Sequence, residues 1–210
     1  MSGFRCVMAG ICGGSAAGKT TVAQSLASRL GHLHPTVVEV DRYYYDRSAL
    51  SREQKRAINY DEPAAIEFSL LAAHLAGLKQ GRAVEAPVYD YATHARLARV
   101  DRLKPSRLVI VEGVLLFSDP ASRALLDFTI FVHAGRDERL RRRIARDAVE
   151  RGRDRESVIR QFNETVEPGF ERYIQPTKTS VDVVLDWNMM NHAALETIAR
   201  RIEELTNSIM

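Results

Sequence analysis

The stretch Gly13-Gly14-Ser15-Ala16-Ala17-Gly18-Lys19-Thr20 matches the pattern G-x-x-x-x-G-K-[S/T]. An apolar run at residues 6–9 precedes it, and residues 21–30 carry apolar side chains at helical spacing. A strand, a glycine-rich turn and a helix in this order place backbone N–H groups and a helix N-terminus around a phosphate. The motif predicts that Lys19 reaches the β- and γ-phosphates of a nucleotide and that the Thr20 hydroxyl binds Mg²⁺.

The length and composition predict one α/β domain spanning residues 1–210, because 45% of the 210 residues are hydrophobic. No apolar run approaches the ~20 residues that a membrane-spanning helix needs. Arg5 interrupts the N-terminus before a signal-peptide pattern can form. Cys6 and Cys12 do not form a C-x-x-C pair, and Cys6 is expected to be a small buried residue. We therefore expect a cytoplasmic protein of a reducing compartment, with no membrane partner.

The positive charge is confined to one segment. Residues 136–155 contain nine arginines and five acidic residues, an excess of four positive charges, whereas the whole chain carries +3. The rest of the chain is therefore slightly negative. Such a local excess favours binding of phosphates over a broad duplex-binding surface, so no nucleic-acid partner is expected.

Two predicted strands end in carboxylates. Asp41 directly follows the strand predicted at residues 36–40, and Glu112 is the last residue of the strand predicted at residues 108–112. Ligands of open α/β sheets bind beyond the carboxyl ends of the strands, so Asp41 is a candidate base for a substrate hydroxyl. Glu112 resembles the Walker B acid that binds Mg²⁺, with Glu in place of Asp. Considered alone, Asp41 is better explained as a helix cap or a turn residue, and the phosphate loop earlier in the chain reverses that preference.

Residues 83–102 predict a β-hairpin that turns at Ala92-Thr93. Tyr89, Tyr91 and His94 lie near its tip, where aromatic rings could stack on a base and the imidazole could form a hydrogen bond. The alternative is an ordinary packed hairpin with a surface histidine. Further strands are predicted at residues 128–132 and 181–185.

Residues 136–155, here called the arginine segment, predict a helix with Arg139, Arg143 and Arg146 on one face. Few positions are apolar, so we expect the segment to bury little and to move as a lid over phosphates. The alternative is a solvated charged helix. Further helices are predicted at residues 51–56, from Pro63 to Gly77 or Gly81, from Asp154 with an end or kink at Pro168, and from Asn191.

Several stretches together resemble the uridine kinase (uridine-cytidine kinase) family in order and spacing. Besides the phosphate loop they are Asp41-Arg42-Tyr43-Tyr44, Asn59-Tyr60-Asp61-Glu62-Pro63, residues 87–96, Glu112-Gly113, residues 142–147, residues 150–154, Gln161, Pro176-Thr177-Lys178 and Asp182. The resemblance implies a P-loop kinase fold, with a five-stranded parallel sheet flanked by helices, a substrate-covering β-hairpin and a helical arginine-rich lid. It implies phosphorylation of the uridine or cytidine 5′-hydroxyl in pyrimidine salvage, with ATP or GTP as donor and Mg²⁺ as cofactor.

The resemblance also implies roles for single residues, beginning with Asp41 as general base and metal ligand. The nucleotide site would comprise Gly13, Gly14, Ser15, Ala16, Ala17, Gly18, Lys19, Thr20, Thr21 and Arg151, with Lys19 and Arg146 catalytic and Thr20 and Glu112 on the metal. The nucleoside site would comprise Tyr44, Asp61, Tyr89, Tyr91, His94, Arg143, Arg153 and Gln161. The family commonly forms homotetramers that pyrimidine triphosphates inhibit.

Departures from the family pattern leave some points open. Tyr43 and Tyr91 stand where many relatives have Phe, and Asp186-Trp187-Asn188 replaces the usual Pro-Arg-Gly, so donor preference is open. A kinase of the phosphoribulokinase or pantothenate kinase type remains the alternative, although it leaves Tyr89, Tyr91 and His94 unexplained. A P-loop GTPase is disfavoured because the chain has no N-K-x-D stretch.

Overall fold

The computed structural model describes residues 4–208. A central sheet has five strands: β1 (Val7–Cys12), β2 (Thr36–Glu39), β5 (Leu108–Glu112), β6 (Phe128–His133) and β7 (Val183–Asp186). The sheet is parallel throughout, in the spatial order β2-β5-β1-β6-β7. β1 lies at the centre and is buried at every position, as its apolar sequence requires of a strand covered on both faces. The predicted five-stranded parallel sheet is confirmed.

Helices and a separate hairpin surround this sheet. The antiparallel hairpin consists of β3 (Val84–Asp90) and β4 (Ala95–Leu103). The α-helices are α1 (Lys19–Arg29), α2 (Arg52–Ala57), α3 (Phe68–Lys79), α4 (Pro120–Arg123), α5 (Arg136–Arg151), α6 (Arg155–Gln161), α7 (Glu167–Gly169) and α8 (His192–Ser208). No helix among residues 4–208 is long and apolar enough to cross a bilayer.

The core has two layers, one on each face of the sheet. On one face, α1 and α8 bury apolar side chains such as Leu26 and Ile198 against the sheet. On the other face, α3 buries Leu71, Leu75 and Leu78. Successive residues of a strand point to opposite faces, so β1 contributes side chains to both layers. This sandwich fixes the carboxyl ends of β1, β2 and β5 side by side.

One helix boundary differs from the sequence prediction, and of the end or kink predicted at Pro168 the end is not observed. The helix expected from Pro63 begins only at Phe68, because Pro63–Ala65 forms a separate 3₁₀ turn. Pro168 does not end the helix that Asp154 caps. α7 contains Pro168 in its first turn, between two π-helical segments, Phe162–Val166 and Phe170–Ile174. Wider turns of this kind accommodate a residue that lacks an N–H group, so the chain stays helical past the proline.

Candidate active site

The phosphate loop joins β1 to α1 and depends on backbone conformations that glycine favours. Gly18 has a φ of +105°, and a Cβ there would overlap the indole ring of Trp187. The Lys19 ammonium lies over the loop and donates to the Gly14 carbonyl at 3.0 Å. Burial lowers the pKa of Lys19, while the neighbouring carboxylates of Glu112 and Asp41 oppose that shift. The loop therefore has its cation in place beside its backbone N–H groups.

Three oxygen-bearing side chains meet beside this loop. The Thr20 hydroxyl donates to a Glu112 carboxylate oxygen at 2.7 Å. β2 pairs with β5 so that Glu39 lies opposite Glu112, and Asp41 follows in the 3₁₀ turn Val40–Tyr43. Burial raises the pKa of Asp41 and of Glu112, and Lys19 opposes both shifts. Among the described residues no group of three or more His, Cys, Asp or Glu side chains forms a metal cluster. A metal here would need Thr20 and ligand oxygens as well.

Five aromatic residues form the opposite side of the cavity, called here the aromatic wall: Tyr44, Tyr60, Tyr89, Tyr91 and His94. The rings of Tyr60 and His94 stack with centroids 4.4 Å apart and planes at 23°. Tyr89 lies between Tyr44 and Tyr91, at 5.3 Å and 5.4 Å from their centroids. The wall thus offers stacked rings and one imidazole, whose pKa burial lowers, so that neutral His94 dominates near pH 7.

The hairpin that carries this wall is fixed to the turn that carries Asp41. The Arg96 guanidinium donates to the carbonyls of Tyr44 and Tyr43 at 3.0 Å and 3.2 Å. It also pairs with the Glu67 carboxylate at 2.7 Å. Lys55 of α2 donates to the Thr93 carbonyl at the hairpin tip at 2.8 Å. These contacts set the distance between the aromatic rings and Asp41.

A polar floor connects the two sides. Gln161 accepts hydrogen bonds through its Oε1 from Arg143 at 2.9 Å and from Arg153 at 2.7 Å. Arg143 also donates to the Ser15 hydroxyl of the phosphate loop at 2.7 Å. Asp61 accepts from the Thr165 hydroxyl at 3.2 Å, and burial raises its pKa, with Arg143 opposing the shift. The floor therefore presents hydrogen-bonding groups between the loop and the aromatic wall.

The expectation that the arginine segment buries little is wrong for the inward face of α5. Arg139 and Arg143 are only 2% and 4% exposed, and Asp147 is fully buried. The Nη2 of Arg139 donates to Oε1 and Oε2 of Glu167 at 2.9 Å and 2.8 Å, and the guanidinium lies over the Phe170 ring at 4.0 Å. A guanidinium can be buried when its charge and its flat face both find partners, so Arg139 acts as a core residue.

The predicted site residues come together. One cavity is lined by Ser15, Ala16, Lys19, Thr20, Asp41, Tyr44, Asp61, Tyr89, Tyr91, His94, Glu112, Arg143, Arg146, Arg151, Arg153 and Gln161. Gly18 and Thr21 line an adjoining cavity with Lys19 and Arg151, and Gly13, Gly14 and Ala17 complete the loop beneath. Tyr60, Val114 and Asp147 were not predicted as site residues. Tyr60 adjoins Asp61 and Asp147 adjoins Arg146, each within a stretch that resembles the family, which was an available signal. Val114, which also lines the cavity, gave none.

The sequence and the fold both match known kinases. The sequence profile of the Phosphoribulokinase / Uridine kinase family matches residues 8–194. A uridine kinase of Chloroflexus aurantiacus is 41% identical over 197 residues, covering 94% of each chain. A uridine kinase of Shewanella amazonensis is 40% identical over 209 residues, covering 98% of this chain and 99% of the relative.

Solved structures with the same fold are more distant in sequence. A structure described as a possible uridine kinase from Bacillus stearothermophilus superposes with a TM-score of 0.64 at 18% identity, covering 89% of this chain and 91% of the other. Phosphoribulokinase from Rhodobacter spheroides also gives 0.64, at 16% identity, covering 87% and 70%. At such identities the likeness concerns the fold alone, whereas the profile and the 40% relatives decide the family. The phosphate loop, Asp41 and the aromatic hairpin are the features that resemble this family in the sequence. The chain therefore belongs to the Phosphoribulokinase / Uridine kinase family.

Proposed function

We propose that this protein transfers the γ-phosphoryl group of ATP or GTP to the 5′-hydroxyl of uridine or cytidine. One observation carries the proposal: the aromatic wall, with its stacked His94, faces the phosphate loop across a single cavity that also contains Asp41. A planar base explains why an acceptor site would need stacked rings and an imidazole. The uridine kinases that match nearly the whole chain support the same assignment.

The oxygen donors beside the loop fit Mg²⁺. The ion prefers hard oxygen ligands and is usually held by one or two carboxylates together with substrate phosphates. Thr20, Asp41 and Glu112 supply a hydroxyl and two carboxylates, and Thr20 and Glu112 are already 2.7 Å apart. When bound, Mg²⁺ neutralises charge on the β- and γ-phosphates. These three residues would hold it.

Asp41 and the surrounding cations would carry the chemistry. Asp41 accepts the proton of the 5′-hydroxyl, which attacks the γ-phosphorus while the bond to the β-phosphate oxygen breaks. Lys19, Arg146 and Arg151 stabilise the negative charge on the transferring group and on the leaving diphosphate. All four side chains line the same cavity.

The polar floor and the aromatic wall would bind the nucleoside. Asp61 accepts hydrogen bonds from ribose hydroxyls, and Arg143 or Arg153, with Gln161 between them, binds the sugar side. Tyr91 stacks on the pyrimidine, and His94 forms a hydrogen bond with its O4 or N4 edge. Tyr44 and Tyr89 complete the pocket around these groups.

A lid movement in the arginine segment would be confined to its C-terminal end. Arg139 and Arg143 are held in the core, while Gly152 has a φ of +59° and follows α5 at a left-handed cap. A hinge at such a residue would let Arg151 and Arg153 close over the phosphates and exclude water, which competes with the ribose hydroxyl.

We also propose a cytoplasmic location, because both cysteines are free thiols.

The test is ADP release from Mg·ATP with uridine, cytidine, ribulose 5-phosphate and pantothenate as separate acceptors. Turnover with uridine or cytidine alone is the expected result. Turnover with an acceptor that has no base would favour a kinase of the phosphoribulokinase or pantothenate kinase type. It would also contradict the roles given to Tyr89, Tyr91 and His94, while leaving those of Lys19 and Asp41 intact.

A further inference from the structure

A buried carboxylate lies at the centre of the arginine segment. Asp147 is fully buried, and four guanidinium groups surround it within 4 Å. Arg146 donates to Asp147 Oδ1 through Nε at 2.9 Å and through Nη2 at 2.8 Å. Arg151 lies 3.8 Å from the same oxygen, and Arg143 and Arg153 lie 3.7 Å and 3.8 Å from Oδ2. The proposed mechanism gives Asp147 no task.

The contact with Arg146 is the closest of the four, and its geometry is directional. Two N–H groups of Arg146 engage one carboxylate oxygen, so the guanidinium is held in one plane. Arg146 also lines the cavity that contains Lys19 and Asp41. A long arginine side chain would otherwise lose rotamer freedom at the moment it met a phosphate.

The other three arginines lie beyond hydrogen-bond distance of Asp147. Buried atoms Oδ2 of Asp147 and Nε of Arg143 have no hydrogen-bond partner among the described residues, although they face each other at 3.7 Å. Arg143 and Arg153 are instead held by hydrogen bonds to Gln161. Among these arginines, the hydrogen bonds of Asp147 orient Arg146 alone. Asp147 therefore distinguishes one arginine from its three neighbours.

We infer that Asp147 is a positioning residue for phosphoryl transfer, which orients Arg146 toward the transferring phosphate through its Oδ1. The inference rests on the proposed function, because it assigns Arg146 to the transferring group. It predicts that loss of Asp147 lowers turnover through Arg146 rather than through the nucleoside site. The KM for uridine should then change little while kcat falls.

A double-mutant cycle tests this on turnover with Mg·ATP and uridine. We expect Asp147→Asn to lower kcat by about 30-fold when Arg146 is present and by less than about threefold in the Arg146→Ala background, because the two residues act as a unit. Equal losses in both backgrounds would overturn the inference. Asp137→Asn, which removes an exposed carboxylate from the same helix, should leave kcat unchanged.

Because Asp147 is buried, its substitution could prevent the protein from folding. A second variant, at the partner residue Arg146, therefore tests the same contact. Arg146 is partly exposed, so Arg146→Lys keeps the charge without the two-pronged contact. We expect this variant to lose about tenfold or more in kcat, and wild-type turnover in a folded Arg146→Lys protein would overturn the inference.

A second measurement on the same variants is the dissociation constant for inorganic tripolyphosphate. If the wild-type protein does not phosphorylate uridine, the proposed function fails while this readout still decides the inference. Non-additivity of about tenfold or more in the dissociation constants supports it. Additive effects, or wild-type affinity of Arg146→Lys, contradict it.

Discussion

The two sides of the cavity are built in different ways. The side formed by Lys19, Thr20, Asp41 and Glu112 rests on the carboxyl ends of adjacent parallel strands, so the central sheet fixes its geometry. The aromatic wall stands on a two-stranded hairpin and on irregular chain, and a few side-chain bonds such as those of Arg96 fix it. The difference suggests that phosphoryl transfer depends on the sheet, while the choice of acceptor depends on an element attached to it.

The sharpest way to separate the two sides is to disable phosphoryl transfer without altering the aromatic wall that would bind the nucleobase. Asp41→Asn removes the proton acceptor and should lower kcat by about 10³-fold, within the range known for general-base catalysis. Binding of ATP, measured by calorimetry, should persist because the phosphate loop is intact. Near-normal turnover of this variant would remove Asp41 from its proposed role.

Gly18→Ala should weaken ATP binding by about 100-fold. The φ of +105° is unfavourable for alanine, and the new methyl group would overlap Trp187. Gly31→Ala is the matched control, because a Cβ there meets nothing within 4 Å. Equal affinities of the two variants for ATP would show that the loop tolerates a side chain at position 18.

His94→Ala tests the aromatic wall alone. Loss of a hydrogen bond to the base should lower kcat/KM for uridine by about 30-fold, corresponding to ~2 kcal/mol. Slow ADP release in the absence of nucleoside should not change. His32→Ala, which alters an exposed histidine paired with Glu203, serves as the control. An equal loss with and without uridine would place His94 on the phosphate side.

The pH dependence addresses the point where the two sides meet. Burial raises the pKa of Asp41, and Lys19 and Arg151 oppose the shift. Since the base must be ionised, kcat/KM should fall as the pH drops through this raised pKa. Arg151→Gln removes one opposing charge and should move the acid limb to higher pH, a few-fold effect at any one pH. Arg201→Gln, on the exposed face of α8, should leave the limb in place, and an acid limb moved to lower pH by Arg151→Gln would contradict this assignment.

Tyr91→Phe should have the smallest effect, less than about threefold in kcat/KM for uridine, because the stacking ring remains. Steady-state kinetics with uridine and cytidine measure it. A loss of tenfold or more would show that the hydroxyl group of Tyr91 itself takes part in the site. Burial and the nearby Asp41 raise the pKa of that hydroxyl.

Local patterns sufficed for the sheet and for the phosphate loop, because apolar runs and glycine positions determine those elements within a few residues. The sequence could not predict the burial of Arg139, since its partners Glu167 and Phe170 lie about 30 residues away and meet it only in the folded chain. The stack of Tyr60 on His94 escaped for the same reason. Of the end or kink predicted at Pro168, the end does not occur, because the helix accommodates the proline between two π-helical segments that no short pattern specifies.

Trp187 has a practical consequence. It is the single tryptophan of the chain, its ring covers Gly18, and its carbonyl accepts from Arg142, which also donates to the Ala17 carbonyl of the phosphate loop. Its intrinsic fluorescence therefore originates at the loop alone. Nucleotide occupancy can be followed optically in the unlabelled protein, without a signal from the aromatic wall's tyrosines when excitation is selective for indole.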